Sequence, residues 1–262
     1  ALQNMINIQK GDKVCAFIHV KNLNDQEYVD NHYLIFATKN GLMKKTTLES
    51  YSRPRANGII ALGLREDDRL IRVTLTDGKS QMLVASYNGK VVRFPEETIR
   101  PMGRTASGVR AIKLDEDGKD CVVGMICVEE GSKDTVLVIS NKGYGKRTAL
   151  DDESGEPIYR ITNRGGKGVK TINITDKTGN LIGMEAVNDD QDLMLITKSG
   201  TAIRMPMTSI SVLGRATQGV KLIELQKRND TLMFGCVVPK EESEEIVESA
   251  EETAEVITTA EE

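Results

Sequence analysis

The sequence predicts an all-β fold, a β-propeller of four-stranded blades. Three observations predict it: self-similarity at a period near fifty residues, short alternating strands bounded by Gly, Asp and Asn, and no helical periodicity of useful length in the body of the chain. Two anchors mark the repeat. The first is a polar residue and Gly leading into an apolar-basic strand, at Asn40-Gly41, Asn88-Gly89, Lys142-Gly143 and Ser199-Gly200. The second is a Gly opening a short alternating strand, at Gly58, Gly108, Gly168 and Gly219, with residues 2–8 (LQNMINI) as a fifth copy.

Each unit resolves into four strands, in the second unit 59–64, 69–75, 80–86 and 90–94, joined by the polar stretches REDD, TDGK and YNG. An Asn-Gly joint signals a tight hairpin, because both central positions of a type I′ turn need positive φ. Repeating such units radially leaves only short, protected sheet edges. The expected layout is a propeller over 1–239, in units of about 1–57, 58–107, 108–167 and 168–218 with a partial 219–239, and a tail over 240–262. About five blades are visible. Because Ala1 falls inside a repeat, the natural chain is expected to continue upstream.

Charge is segregated along the chain. Of the 262 residues, 35 are Lys or Arg and 39 are Asp or Glu, a net of −4. Residues 240–262 carry ten Glu and one Lys, a net of −9, which leaves +5 for the rest. A segment this acidic and this poor in apolar groups is expected to stay disordered, serving solubility or competing with a polyanion for the basic body. Four connectors (42–58, 90–110, 142–170, 201–221) each hold a net +3, so everything else in the body sums to −7. In a radial fold equivalent segments fall at equivalent radius and height. One basic segment per blade then makes a curved stripe, along which a polyanion binds with strong, salt-sensitive and largely sequence-independent affinity. Duplex DNA on such a track bends, at a cost of several kcal/mol offset by distributed contacts.

The candidate DNA-binding residues are Lys44, Lys45, Arg53, Arg55, Arg93, Arg100, Arg104, Arg110, Lys146, Arg147, Arg160, Arg164, Lys167, Lys170, Arg204, Arg215 and Lys221. Against them stands the plain alternative of solvated edge charges; four successive connectors of one sign and size favour the stripe. The only connector aromatics are Tyr51, Phe94, Tyr144 and Tyr159, which favours duplex backbone over stacked single strands. A basic rim meeting an acidic protein partner is the alternative from another class.

No catalytic or metal site is expected. Cys15, Cys121, Cys127 and Cys236 lie far apart with no C-x-x-C pair, and read as thiols in a reducing cytoplasm. Gly143–Thr148 lacks the spacing of a phosphate loop. Asp115, Glu116 and Asp117 read as turn formers. No apolar stretch approaches the roughly 18 residues of a membrane span, and no membrane partner is expected.

The segments NGLMKKTTL, NGKVVRFPEETIRPMG, ASGVRAIKL, NKGYGKRTAL and SISVLGRATQGVKLIEL, in this order, resemble the C-terminal domain of the A subunit of bacterial DNA gyrase. The resemblance implies a six-bladed pinwheel whose basic outer rim wraps DNA, within an ATP-dependent type II topoisomerase that introduces negative supercoils. It further implies a missing N-terminal part bearing the catalytic tyrosine, an A2B2 assembly with the B subunit, and ATP and Mg2+ used through that partner. No cofactor is expected in this fragment, and the location is cytoplasmic, on the chromosome. The C-terminal domain of topoisomerase IV shares the architecture. The family's diagnostic basic-glycine box would precede Ala1, but Asn163-Arg164-Gly165-Gly166-Lys167-Gly168 is similar to most of it.

Overall fold

The computed structural model describes residues 11, 13–55, 57–116, 118–225 and 230–240. The LQNMINI copy at 2–8, Asp117 and the acidic tail beyond Lys240 lie outside them.

Four antiparallel hairpins each seed one sheet. They are β1 (Tyr33–Thr38) with β2 (Leu42–Thr47), β4 (Gln81–Ser86) with β5 (Lys90–Pro95), β8 (Thr135–Ser140) with β9 (Tyr144–Ala149), and β12 (Gln191–Thr197) with β13 (Ala202–Pro206). A third strand pairs with the first strand of each hairpin: β3 (Leu70–Thr76), β7 (Val122–Val128), β11 (Leu181–Val187) and β15 (Leu232–Pro239). In three sheets a two-residue strand pairs with the second: β6 (Val109–Arg110), β10 (Val169–Lys170) and β14 (Val220–Lys221). A five-residue helix, α1 (Gln26–Asp30), precedes β1, with the Asp25 carboxylate accepting the Tyr28 N–H.

The hairpins form at the expected joints, but with a different turn. Only the glycine of each joint has positive φ, at +83°, +74°, +79° and +87° for Gly41, Gly89, Gly143 and Gly200, while the residue before it does not. The glycine N–H donates to Thr38 O, Ser86 O, Ser140 O and Thr197 O at 2.9–3.1 Å. This is a type I turn followed by a left-handed glycine, the arrangement of a G1 bulge, and not the expected type I′ turn.

Strand partnership also differs from the expected units. The sheet orders are β3-β1-β2-β6, β10-β5-β4-β7 and β11-β8-β9-β14, with β13-β12-β15 as the fourth. The strands expected to share the second unit therefore divide between two sheets, and 59–64 forms no strand. Segment 219–239, expected as a partial blade, gives β14 to the third sheet and β15 to the fourth. Glycine makes this exchange possible. Gly108, Gly168 and Gly219 have φ of +96°, +73° and +77°, and a Cβ there would stand 2.4, 2.5 and 2.6 Å from Met43 O, Val91 O and Gly145 O. Only a residue without a side chain lets the outer strand lie against the hairpin.

The core lies between sheets. Ile35, Met43, Met82, Phe94 and Met125 fill the space between the first and second. Leu83, Val91, Val138, Tyr159 and Met184 fill the next, and Leu137, Leu193, Leu195 and Leu232 the third. Each such side chain contributes about 1.5–3 kcal/mol by leaving water. Since the inner sheets are covered on both faces, β4 and β5 are buried along nearly their whole length rather than on alternate residues.

Candidate nucleic-acid interface

The third strands define the centre of the molecule: β3 packs on β7, β7 on β11, and β11 on β15. They hold one edge of every sheet, so β6, β10 and β14, at the opposite edge, form the perimeter. Each of these strands reads Val followed by a cation, and Arg110, Lys170 and Lys221 are exposed. Basic side chains on an open edge also discourage further strand pairing.

A second row comes from the connectors. After β5, β9 and β13 the chain returns to lie parallel to the second hairpin strand of the preceding sheet, through the bridges Lys45–Pro101, Arg93–Ile161 and Arg147–Val212. Met102, Thr162 and Leu213 donate their N–H groups to Lys45 O, Arg93 O and Arg147 O at 2.8–2.9 Å. These contacts hold Arg104, Arg164 and Arg215, each four residues before the glycine that opens an outer strand, at equivalent places on the perimeter. Two of them also join neighbouring sheets. Arg164 Nη1 donates to Arg110 O at 3.3 Å and its Nε to Thr98 O at 3.2 Å, and Arg215 Nη1 donates to Lys170 O at 2.9 Å.

Arg160, Arg164 and Lys167 are exposed around an open groove of about 410 Å³ lined by Asn163 and the glycines 165, 166 and 168. Arg53, Arg55 and Arg100 are exposed as well. Glycine at 165 is required by its φ of +80°, and at 168 by the approach of Val91 O.

Five expected contacts are corrected. Lys44 and Lys146 are 0% exposed, Lys45 4%, and Arg93 and Arg147 7% each. Lys45 pairs with the buried Glu96 at 2.8 Å, Arg93 with Asp151 at 2.8 Å, and Arg147 with Asp189. Lys44 Nζ donates to Ala61 O and Arg104 O, and Lys146 Nζ to Gly214 O and Arg215 O. Burial, with a lesser push from the adjacent Arg104 or Arg215, lowers each of these two lysines to about 8. These groups lie inside the molecule and hold the sheets and connectors together. Arg204 is likewise engaged, its Nε on Asp192 Oδ2 and its Nη2 on Pro239 O, both at 2.8 Å. Lys221 reaches Glu224 at 2.6 Å in an exposed pair.

The acids that neutralise the buried cations were not singled out in the sequence. A signal existed: Lys45, Arg93, Arg147 and Arg204 all stand four residues after the turn glycine, a register shared by every hairpin. Asp115 accepts from Lys90 at 2.6 Å and its N–H donates to Asp120. Of the connector aromatics, Phe94, Tyr144 and Tyr159 are buried, while Tyr51 is half-buried and donates to Ala61 O.

Residues 32–77, 81–129, 134–188 and 191–234 match the family described as DNA gyrase C-terminal domain, beta-propeller. The chain belongs to this family. Each matched segment takes in one hairpin and all or part of its central strand, so the gyrase C-terminal repeat follows the sheets and not the sequence units drawn from the opening glycines. The chain is 40% identical over 255 residues to the DNA gyrase A subunit of Staphylococcus aureus (strain NCTC 8325 / PS 47), covering 97% of this chain and 27% of the relative. It is 41% identical over 250 residues to that of strain MRSA252, with 95% and 27% covered. The chain thus spans about a quarter of these gyrase subunits. The fold is that of a solved DNA topoisomerase IV C-terminal domain (TM-score 0.79, 22% identity, 97% of this chain and 74% of that one). It is also that of a solved DNA gyrase A C-terminal domain (TM-score 0.73, 22% identity, 90% and 74%).

Proposed function

We propose that this domain binds duplex DNA along its perimeter and bends it. The observation that carries the reading is the recurrence of two exposed or half-exposed cations at one place in each of the three four-stranded sheets: Arg104 with Arg110, Arg164 with Lys170, and Arg215 with Lys221. Phosphates laid along this row release counterions contact by contact, and the sum offsets the elastic cost of curving the duplex. Contacts to phosphate fix position without reading sequence, so binding is largely sequence-independent.

In the whole protein, this domain serves an A2B2 gyrase, in the cytoplasm on the chromosome. It presents a wrapped segment to the cleavage-rejoining part, while the B subunit supplies ATP hydrolysis with Mg2+. Family membership and the likeness to gyrase A subunits support that role. Titrating the domain with labelled duplex DNA at several salt concentrations tests the binding. Affinity is expected to fall steeply and log-linearly with salt for any sequence, with bending visible as end-to-end energy transfer. Salt-insensitive binding, or capture of an acidic protein in preference to DNA, would reverse the reading.

A further inference from the structure

The position three residues after the turn glycine is Lys44 in the first sheet, Val92 in the second, Lys146 in the third and Ile203 in the fourth. Val92 is buried and Ile203 partly so, packed against the core, which means that an apolar side chain satisfies the packing at this site. An ammonium there is a burden, since it leaves water and lies close to a like charge, Arg104 or Arg215. What distinguishes the two lysines is their partners. Lys44 Nζ donates to Ala61 O and Arg104 O, both at 2.5 Å, under the face of the Phe36 ring. Lys146 Nζ donates to Gly214 O and to Arg215 O, the latter at 2.6 Å. In both sheets the buried ammonium grips the main chain of the residue whose guanidinium lies on the perimeter. The second sheet, with Val92, has other ties for its connector: Gly165 N–H donates to Ala111 O at 2.7 Å, and Arg164 adds a bond to Thr98 O to the one with Arg110 O, whose counterpart is Arg215 on Lys170 O.

We infer that Lys44 and Lys146 are positioning residues for DNA binding, each holding from beneath the connector that presents Arg104 or Arg215. The inference rests on the perimeter reading above and goes beyond it, because neither ammonium can reach a phosphate. The test is a cycle in the full 262-residue chain, K146M, R215A and the double variant, with duplex affinity measured against salt and thermal midpoints measured alongside. Each single variant should lower the salt slope by about 0.9, one phosphate contact, and affinity about eightfold at 0.1 M salt. The double variant should lose no more than the worse single one. K146M combined with R164A, which sits on another connector, should show additive losses.

A purely structural lysine would lower the thermal midpoint and leave the salt slope of the folded protein at its parent value; that result overturns the inference while R215A still reports the DNA contact. Parent protein that fails to bind duplex overturns the perimeter reading itself. If K146M does not fold, K44M with R104A repeats the cycle. Amide exchange over residues 211–218 in a folded Lys146→Gln variant gives a second measure: faster exchange there than in the parent is expected, and unchanged exchange overturns the grip.

Discussion

Replacing Arg104, Arg164 and Arg215 together by Ala tests the perimeter directly. The three side chains occupy equivalent places on successive sheets, so each is assigned one phosphate. Every neutralised phosphate contributes about 0.9 to the logarithmic salt slope. Removing three should therefore flatten it by about 2.7 and weaken binding about 500-fold at 0.1 M salt. Fluorescence anisotropy with linear duplexes of unrelated sequence, over about 50–200 mM salt, measures both quantities. The loss should be the same for every sequence. A slope that stays at the parent value, or a loss confined to one sequence, would refute the assignment. Because Arg164 and Arg215 also bond the outer strands of neighbouring sheets, circular dichroism must show the triple variant folded before its slope is read.

Three further outcomes are expected. R93A should unfold at lower urea, by about 1–3 kcal/mol, because it removes the pair with Asp151 and the guanidinium donor to the buried Tyr159 carbonyl, while the salt slope of DNA binding by the folded protein stays unchanged. Gly219→Ala should destabilise the chain strongly, since its Cβ would meet Gly145 O at 2.6 Å, whereas Gly58→Ala, with no atom within 4 Å, should cost only about 1–2 kcal/mol for its φ of +74°; paired urea midpoints measure the contrast. Lys44 and Lys146 titrate near 8 in the folded protein against 10.5 when free. Between pH 8 and 9 the unfolded chain binds more protons at these sites, so they make stability rise with pH. The Cys127 thiol, pushed up to about 11 by burial, works in the opposite direction above pH 9. K146M should therefore gain less stability than the parent from pH 8 to 9, as read from urea midpoints.

The hairpins were legible because each joint carries its own chemistry: a turn glycine flanked by apolar strands marks 80–86 and 90–94 within a residue of β4 and β5. Their partners were not. Leu42 pairs with Arg110 and Tyr144 with Lys221, and nothing local in either segment names so distant a mate. Residues 59–64 alternate like a strand, yet Gly63 bonds Ala106 of another connector and the segment joins no sheet. The recurrence of charge was visible, but not the depth of each cation. Alternation separates inside from outside only where one face of a sheet meets water, and here both faces of β5 and β9 are covered. Lys146 and Arg147 are therefore adjacent in a strand and both buried, each for a different partner.

The loan of β6, β10 and β14 to earlier sheets has a consequence for how such a protein is made and remade. A nascent first hairpin leaves the ribosome with a bare outer edge and waits until Val109 and Arg110 are synthesised. Proteolysis meets the same bond in another form. A cut between β2 and β6 leaves the border strand attached to its sheet by noncovalent contacts alone, since it lies beyond the next hairpin in the chain, as links in chain mail hold after one is opened.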